Sequence, residues 1–148
     1  MTISMDKSNK IFVDSNFFIA LLNPQDTLNT KAITISSKIK DESPSLVISN
    51  FIFLEIVTIL SQRIDRKTAI TFGNHLLQDN QIEILHINES LQEKCWKAFQ
   101  KMDKKNISFV DCSILAVMEA EKINTLLTFD LEDFVSLKKI YKFDFYNT

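Results

Sequence analysis

The sequence predicts a single α/β domain built on parallel strands, and three observations carry that expectation. Short β-branched runs alternate with longer helical patterns, as they do where parallel strands are joined by crossover helices. The length of 148 residues suits one domain. A hydrophobic content of 45%, with twelve Phe, provides a core that needs no disulfide or metal to hold it.

Each element follows from its residues. Residues 1–10, MTISMDKSNK, are polar and form a tail before the domain, 11–148. Ile11-Phe12-Val13 reads as a short buried strand, followed by a helix over Ser15 to Leu22 that ends near Pro24. A second helix runs from Asp26 or Thr27 to about Lys40, and Leu46-Val47-Ile48 is the second strand. Ser49 or Asn50 caps a helix reaching Arg63, and Asp65 begins another reaching Gln78. Glu83 to His86 is the third strand. Asn88 caps a helix to about Lys104, and Ser108 caps Phe109 to Glu121. Thr125-Leu126-Leu127 is the fourth strand, Asp130 to Leu137 a short helix, and Tyr141 to Phe145 a final strand.

Composition excludes several functions. The one glycine, Gly73, cannot build the Gly-rich loops that bring backbone close to the phosphates of a nucleotide. Cys95 and Cys112 are far apart in apolar segments and read as buried free thiols in a reducing compartment. No run reaches the ~18–20 apolar residues of a membrane span, and no secretory signal is visible. The expected location is therefore the cytoplasm, with no membrane partner. The net charge of −2 lacks the basic surplus of many nucleic-acid binders. Local cations could still meet phosphate: Arg63, Arg66 and Lys67, or Lys101, Lys104 and Lys105. Solvated helix ends explain either cluster equally simply. His75, His86, Trp96 and Phe99 read as structural or surface groups, the last two as core or dimer contacts.

Four carboxylates stand out. Asp14 and Asp130 follow predicted strands, where parallel α/β sheets bind ligands. Glu55 and Asp111 lie in helices, Phe51–Leu60 and Phe109–Met118, that are apolar nearly all round, where an unpartnered charge is costly. Capping offers a structural explanation for Asp14, for Asp130, and especially for Asp111, which sits at the third position after Ser108. Glu55 is mid-helix, where capping cannot account for it. An all-oxygen set suits hard ions such as Mg²⁺ or Mn²⁺, and no Cys/His grouping suggests zinc.

These segments resemble the motifs of the PIN-domain family. Ile11-Phe12-Val13-Asp14-Ser15-Asn16 is similar to its opening, and Ser49 to Glu55 to the helix that carries its second acid. Ser108 to Ala116 resembles the third motif and Leu127 to Phe134 the fourth, in the expected order across nearly the whole chain. The resemblance implies a three-layer α/β/α sandwich with a central parallel sheet of about five strands. It implies an endoribonuclease dependent on Mg²⁺ or Mn²⁺, with Asp14, Glu55, Asp111 and Asp130 as its catalytic and metal-binding acids. Asn16 and Thr128 match positions near that cluster and would orient a ligand or water. The size resembles the VapC-type toxins of toxin–antitoxin pairs, which implies an RNA substrate, a small antitoxin partner and a homodimer. The alternatives are a non-catalytic domain binding RNA or protein, and a phosphoacceptor domain, which would leave Glu55 and Asp111 unexplained.

Overall fold

The structure is a computed structural model, and it describes residues 9–146. Residues 1–8 of the expected polar tail lie outside the described residues. Lys10, expected as the tail's last residue, instead opens β1 (Lys10–Val13), where it pairs with Ser45.

The chain then runs through α1 (Ser15–Leu22), α2 (Asn29–Glu42), β2 (Ser45–Ser49), α3 (Asn50–Arg63), α4 (Arg66–Gln78) and β3 (Ile82–Leu85). It continues through α5 (Glu89–Lys101), α6 (Phe109–Glu121), β4 (Thr125–Leu127), α7 (Leu131–Val135), a 3₁₀ turn (Ser136–Lys139) and β5 (Asp144–Phe145). Capping residues set most of the starts. Ser49, Asp65, Asn88 and Ser108 each accept a backbone N–H from the first turn of the helix they precede. α2 begins later than expected because the Asp26 carboxylate accepts the Leu28 N–H and holds that stretch in a turn. α5 stops three residues before Lys104, since Asp103-Lys104-Lys105 offers nothing apolar to bury. The final strand shortens to two residues; Tyr141 to Phe143 lie outside it, with Phe143 buried.

All five strands are parallel, in the order β3-β2-β1-β4-β5. Phe12 at the centre of the sheet stands between Val47 and Leu126, and all three are fully buried. Such strands are covered on both faces. Right-handed crossovers put α1–α4 on one face and α5–α7 on the other, giving the expected three-layer α/β/α sandwich. The packing agrees: α1 meets α2 and α3, α3 meets α4, and α5 meets α6. The chain builds outward from β1 through β2 to β3, then returns to place β4 on the other side of β1. The order of strands therefore reverses between β1 and β4, and the crevice beyond their carboxyl ends is where such sheets bind ligands.

The two apolar helices behave differently. α6 is buried continuously from Cys112 to Met118, as its sequence predicts. α3 buries only Ile52, Ile56 and Leu60, and Leu54 is 63% exposed, so its outer face is free of the core despite its composition. Trp96 is 51% exposed and is not a core residue. Cys95 and Cys112 are buried and unpaired. Burial, with Asp111 close by, pushes the Cys112 thiol up to about 11, which leaves it protonated and inert. Among the described residues, no helix is long and apolar enough to cross a membrane.

Candidate functional site

The reversal point holds a cleft of about 280 Å³ whose wall includes Asp14, Glu55, Asp111 and Asp130. Larger hollows exist, such as one of about 360 Å³ between α3 and α4, but its lining carries no carboxylate. The four acids come from four separate parts of the chain. Asp14 ends β1, Glu55 lies one turn inside α3, Asp111 is in the first turn of α6, and Asp130 follows β4.

Asp14 is the deepest, at 4% exposure. Its Oδ1 accepts the Ser15 N–H at 2.8 Å, so the capping expected of it is real. Its Oδ2 accepts the Thr128 hydroxyl at 2.8 Å and the Asn16 amide at 3.4 Å. Thr128 in turn accepts the Asp130 N–H at 3.1 Å, while the Asn16 carbonyl oxygen accepts the Phe129 N–H at 3.1 Å. Asn16 and Thr128 thus bind the end of β1 to the end of β4. The Asp14 N–H donates to the Leu127 carbonyl at 2.9 Å and completes the link.

Asp111 forms the capping box its position predicts: its carboxylate accepts the Ser108 N–H at 3.0 Å and its own N–H donates to the Ser108 hydroxyl at 3.1 Å. Capping therefore uses one of its oxygens and leaves the side chain at the cleft wall. Asp130 is different. Its side chain makes no capping bond to α7, so that structural explanation fails for it. Glu55 is half-buried and accepts the Ser15 hydroxyl at 2.5 Å. Sequence alone did not place Ser15 or Asp26 in the cleft; the signal for Ser15 was adjacency to Asp14, and Asp26, a fifth carboxylate on the wall, read only as a turn or helix-start residue.

Burial first, and like charge after it, raises three of the cleft's acids. Burial, then the Asp111, Glu55 and Asp130 carboxylates, push Asp14 up to about 7, against the opposing pull of the Thr128 hydroxyl. Asp111 is raised by burial and by Asp130 and Glu55, despite its bonds from Ser108. Asp130 is raised by burial and by Asp133, against a bond from Asn16. Titratable groups perturbed in this way gather at functional sites.

The donor set fits a hard divalent cation. Among the described residues, no three His, Cys, Asp or Glu side chains stand close enough to enclose an ion by themselves. The acids are spread around the wall, each holding a local hydrogen bond. That arrangement suits an ion that takes one or two carboxylates and completes its shell with water and phosphate oxygens, as Mg²⁺ does.

Thr128 offers a direct test of how the cleft is organised. Thr128→Val keeps the shape of a fully buried side chain but removes the hydroxyl that serves Asp14, Asn16 and Asp130. The expected cost is about 1–3 kcal/mol of stability by urea denaturation. Losing that donor also raises Asp14 further, so the acid limb of any pH–rate profile should move to higher pH.

Comparison with known proteins agrees with this fold. The chain is 28% identical over 120 residues to the 23S rRNA-specific endonuclease VapC20 of Mycobacterium tuberculosis, covering 81% of this chain and 88% of the relative. The crystal structure of that VapC20, described as a Sarcin-Ricin loop cleaving toxin, superposes with a TM-score of 0.73 at 25% identity, covering 85% of this chain and 94% of that one. VapBC2 from Rickettsia felis, bound to a DNA fragment from its promoter, shares the fold with a TM-score of 0.64 at 14% identity, covering 93% and 99%. A sequence model of the PIN domain matches residues 11–140, and the chain belongs to the PIN-domain family.

Proposed function

We propose that this protein is a divalent-metal-dependent endoribonuclease, the toxin of a toxin–antitoxin pair, acting in the cytoplasm on RNA phosphodiester bonds. The observation that carries this reading is the convergence of four carboxylates, from four distant segments, on one cleft at the reversal point of a parallel sheet. The endonuclease relative at 28% identity supports RNA as the substrate. Toxin–antitoxin complexes among the structures sharing the fold support a small antitoxin as partner, and the protein is read as a homodimer. Residues 11–148 are read as one nuclease domain.

In this reading Asp14, Glu55, Asp111 and Asp130 would hold Mg²⁺ or Mn²⁺ between them, one or two directly and the others through water. The bound ion supplies charge neutralisation at the phosphate and activation of the attacking water. The chain's own residues do the rest. Thr128 and Asn16 hold the Asp14 carboxylate in one orientation, and Ser15 holds that of Glu55. The Ser108 N–H fixes one oxygen of Asp111. Proton release from Asp14 makes its charge available, so cation affinity should rise as pH passes through about 7.

The test is cleavage of purified 23S rRNA with Mg²⁺ or Mn²⁺ and with chelator, reading the new ends by primer extension. Discrete cleavage is expected with either ion and none with chelator. Equal cleavage in chelator would overturn the metal-dependent reading.

A further inference from the structure

Arg63 lies at the end of α3 and lines the same cleft as the four acids. It is exposed, as is Lys67 four residues on. Among the described residues, neither pairs with a carboxylate; the ion pairs found there all involve other cations. Asp65, between them in sequence, is occupied at the start of α4, where it accepts the Thr68 N–H at 2.6 Å. Neither cation is thus held in a close ion pair: Arg63 stands at the cleft and Lys67 beside the start of α4, where its charge, after the Thr68 N–H, helps hold Asp65 below the usual carboxylate range. Arg63 starts about 12 Å along α3 from Glu55 by helix rise, and its side chain lines the same cleft.

Lys67 belongs to a second hollow, a groove of about 550 Å³ between the end of α1 and α4, lined by Leu22, Lys67, Thr68, Thr71, Phe72 and His75. The same elements lead from cleft to groove: Ile19 lines the cleft and Leu22 the groove, one turn apart on α1, while Arg63 lines the cleft and Lys67 the groove on either side of the α3–α4 turn. Its lining combines a cation and two hydroxyl-bearing side chains with the exposed His75 ring, which packs on the half-buried Phe72 at 6.0 Å and 29°. Cations and hydroxyls meet phosphate oxygens, and exposed ring faces receive unstacked bases.

We propose that a single-stranded RNA segment flanking the scissile bond leaves the acid cleft over Arg63 and lies in the α1–α4 groove, with Lys67 on its phosphates. The proposal rests on the nuclease reading for its substrate class. It assigns to Arg63 and Lys67 a role in holding RNA.

The experiment measures binding of a fluorescent single-stranded RNA of about a dozen nucleotides to the full chain in chelator, by anisotropy across a salt series. The variants are Arg63→Gln with Lys67→Gln, the charge-retaining Arg63→Lys, and Lys94→Gln with Lys97→Gln on α5 as an equal charge change elsewhere. The double Gln variant at 63 and 67 should bind at least about tenfold more weakly. Its log–log salt slope should flatten by about 1.4, from two lost single-strand phosphate contacts. Arg63→Lys should keep the slope, and the α5 variant should match wild type. Equal affinity and slope for the 63/67 variant, or an equal loss for the α5 variant, would overturn the proposal. So would unchanged RNA binding with a selective loss of antitoxin binding, which would make the groove a protein site. If wild type cleaves no RNA but the 63/67 variant still loses RNA binding, the nuclease reading fails and this groove stands.

Discussion

Asp14→Asn should reduce RNA cleavage at least about 100-fold, because the cleft loses its most deeply placed carboxylate. The same substitution should make the metal-free protein more stable at neutral pH. Asp14 titrates near 7 in the folded state and near 3.8 when unfolded. Between those values the folded state holds a proton that the unfolded state has released. Stability therefore falls as pH rises from about 4 to about 7 and levels off above, and the cost is absent below the unfolded value. A shift of this size corresponds to a few kcal/mol at most, on the order of 2–4. Asn carries no charge and escapes that cost, although it accepts fewer bonds than the carboxylate, which is served by Ser15, Thr128 and Asn16. Urea denaturation in chelator at pH 4.5, near the start of that fall, and at pH 8, about 1 unit beyond its end, reads the difference. Wild type should weaken between the two conditions and the variant should weaken less. Parallel pH profiles for the two proteins would show that Asp14 is not held at a charge-dependent cost. Undiminished cleavage by the variant would remove it from the active site.

Phe134→Ala should cost about 3–5 kcal/mol, measured by chemical denaturation. Phe134 is fully buried and sits in α7, a helix of only five residues. So short a helix has no stability of its own and depends on its anchors, Phe134 and Leu137. The Phe134 N–H also donates to the Asp130 carbonyl at 3.2 Å, so the segment that carries the fourth acid is fixed through this turn. Against a total stability of about 5–15 kcal/mol, the loss is a large share. Cleavage should fall with it, since Asp130 loses its support. Phe134→Leu, which fills most of the space, should recover most of both. A Phe134→Ala protein with wild-type stability would mean that α7 does not anchor through this ring.

Much of the fold was legible because its signals are local. Five helices among the described residues begin where a Ser, Asp or Asn side chain accepts a free N–H of the first turn, and that chemistry needs only neighbouring residues. The short β-branched runs read as buried strands because a strand covered on both faces must be apolar throughout. Asp111 shows the limit of such signals. Its capping box was visible in sequence and exists, yet the same carboxylate also stands at the cleft wall. Local pattern could not choose between the two uses, because both are present.

The composition of α3 misled for a related reason. Hydrophobicity around the whole helix suggested burial on most sides, but whether a face is covered depends on what packs there, and Leu54 remains exposed. Ser15, likewise, gave no signal of its own, since its bond to Glu55 spans forty residues of chain.

What the sequence by itself determined is therefore the set of parts: an alternating α/β chain, its capped helices, and four acids in motifs that resemble one family. Their periodicity and capping act over a few residues and can be read from a few residues. Tertiary structure decided that β4 returns to lie beside β1, and that choice brings Asp14, Thr128 and Asp130 together at one crevice. It also decided that Arg63 faces the acids without pairing to them, and that the same elements lead on to the α1–α4 groove. The physical reason is range. Strand order and the meeting of distant side chains are set by how the layers bury their apolar faces against one another, and no short window of sequence contains that information.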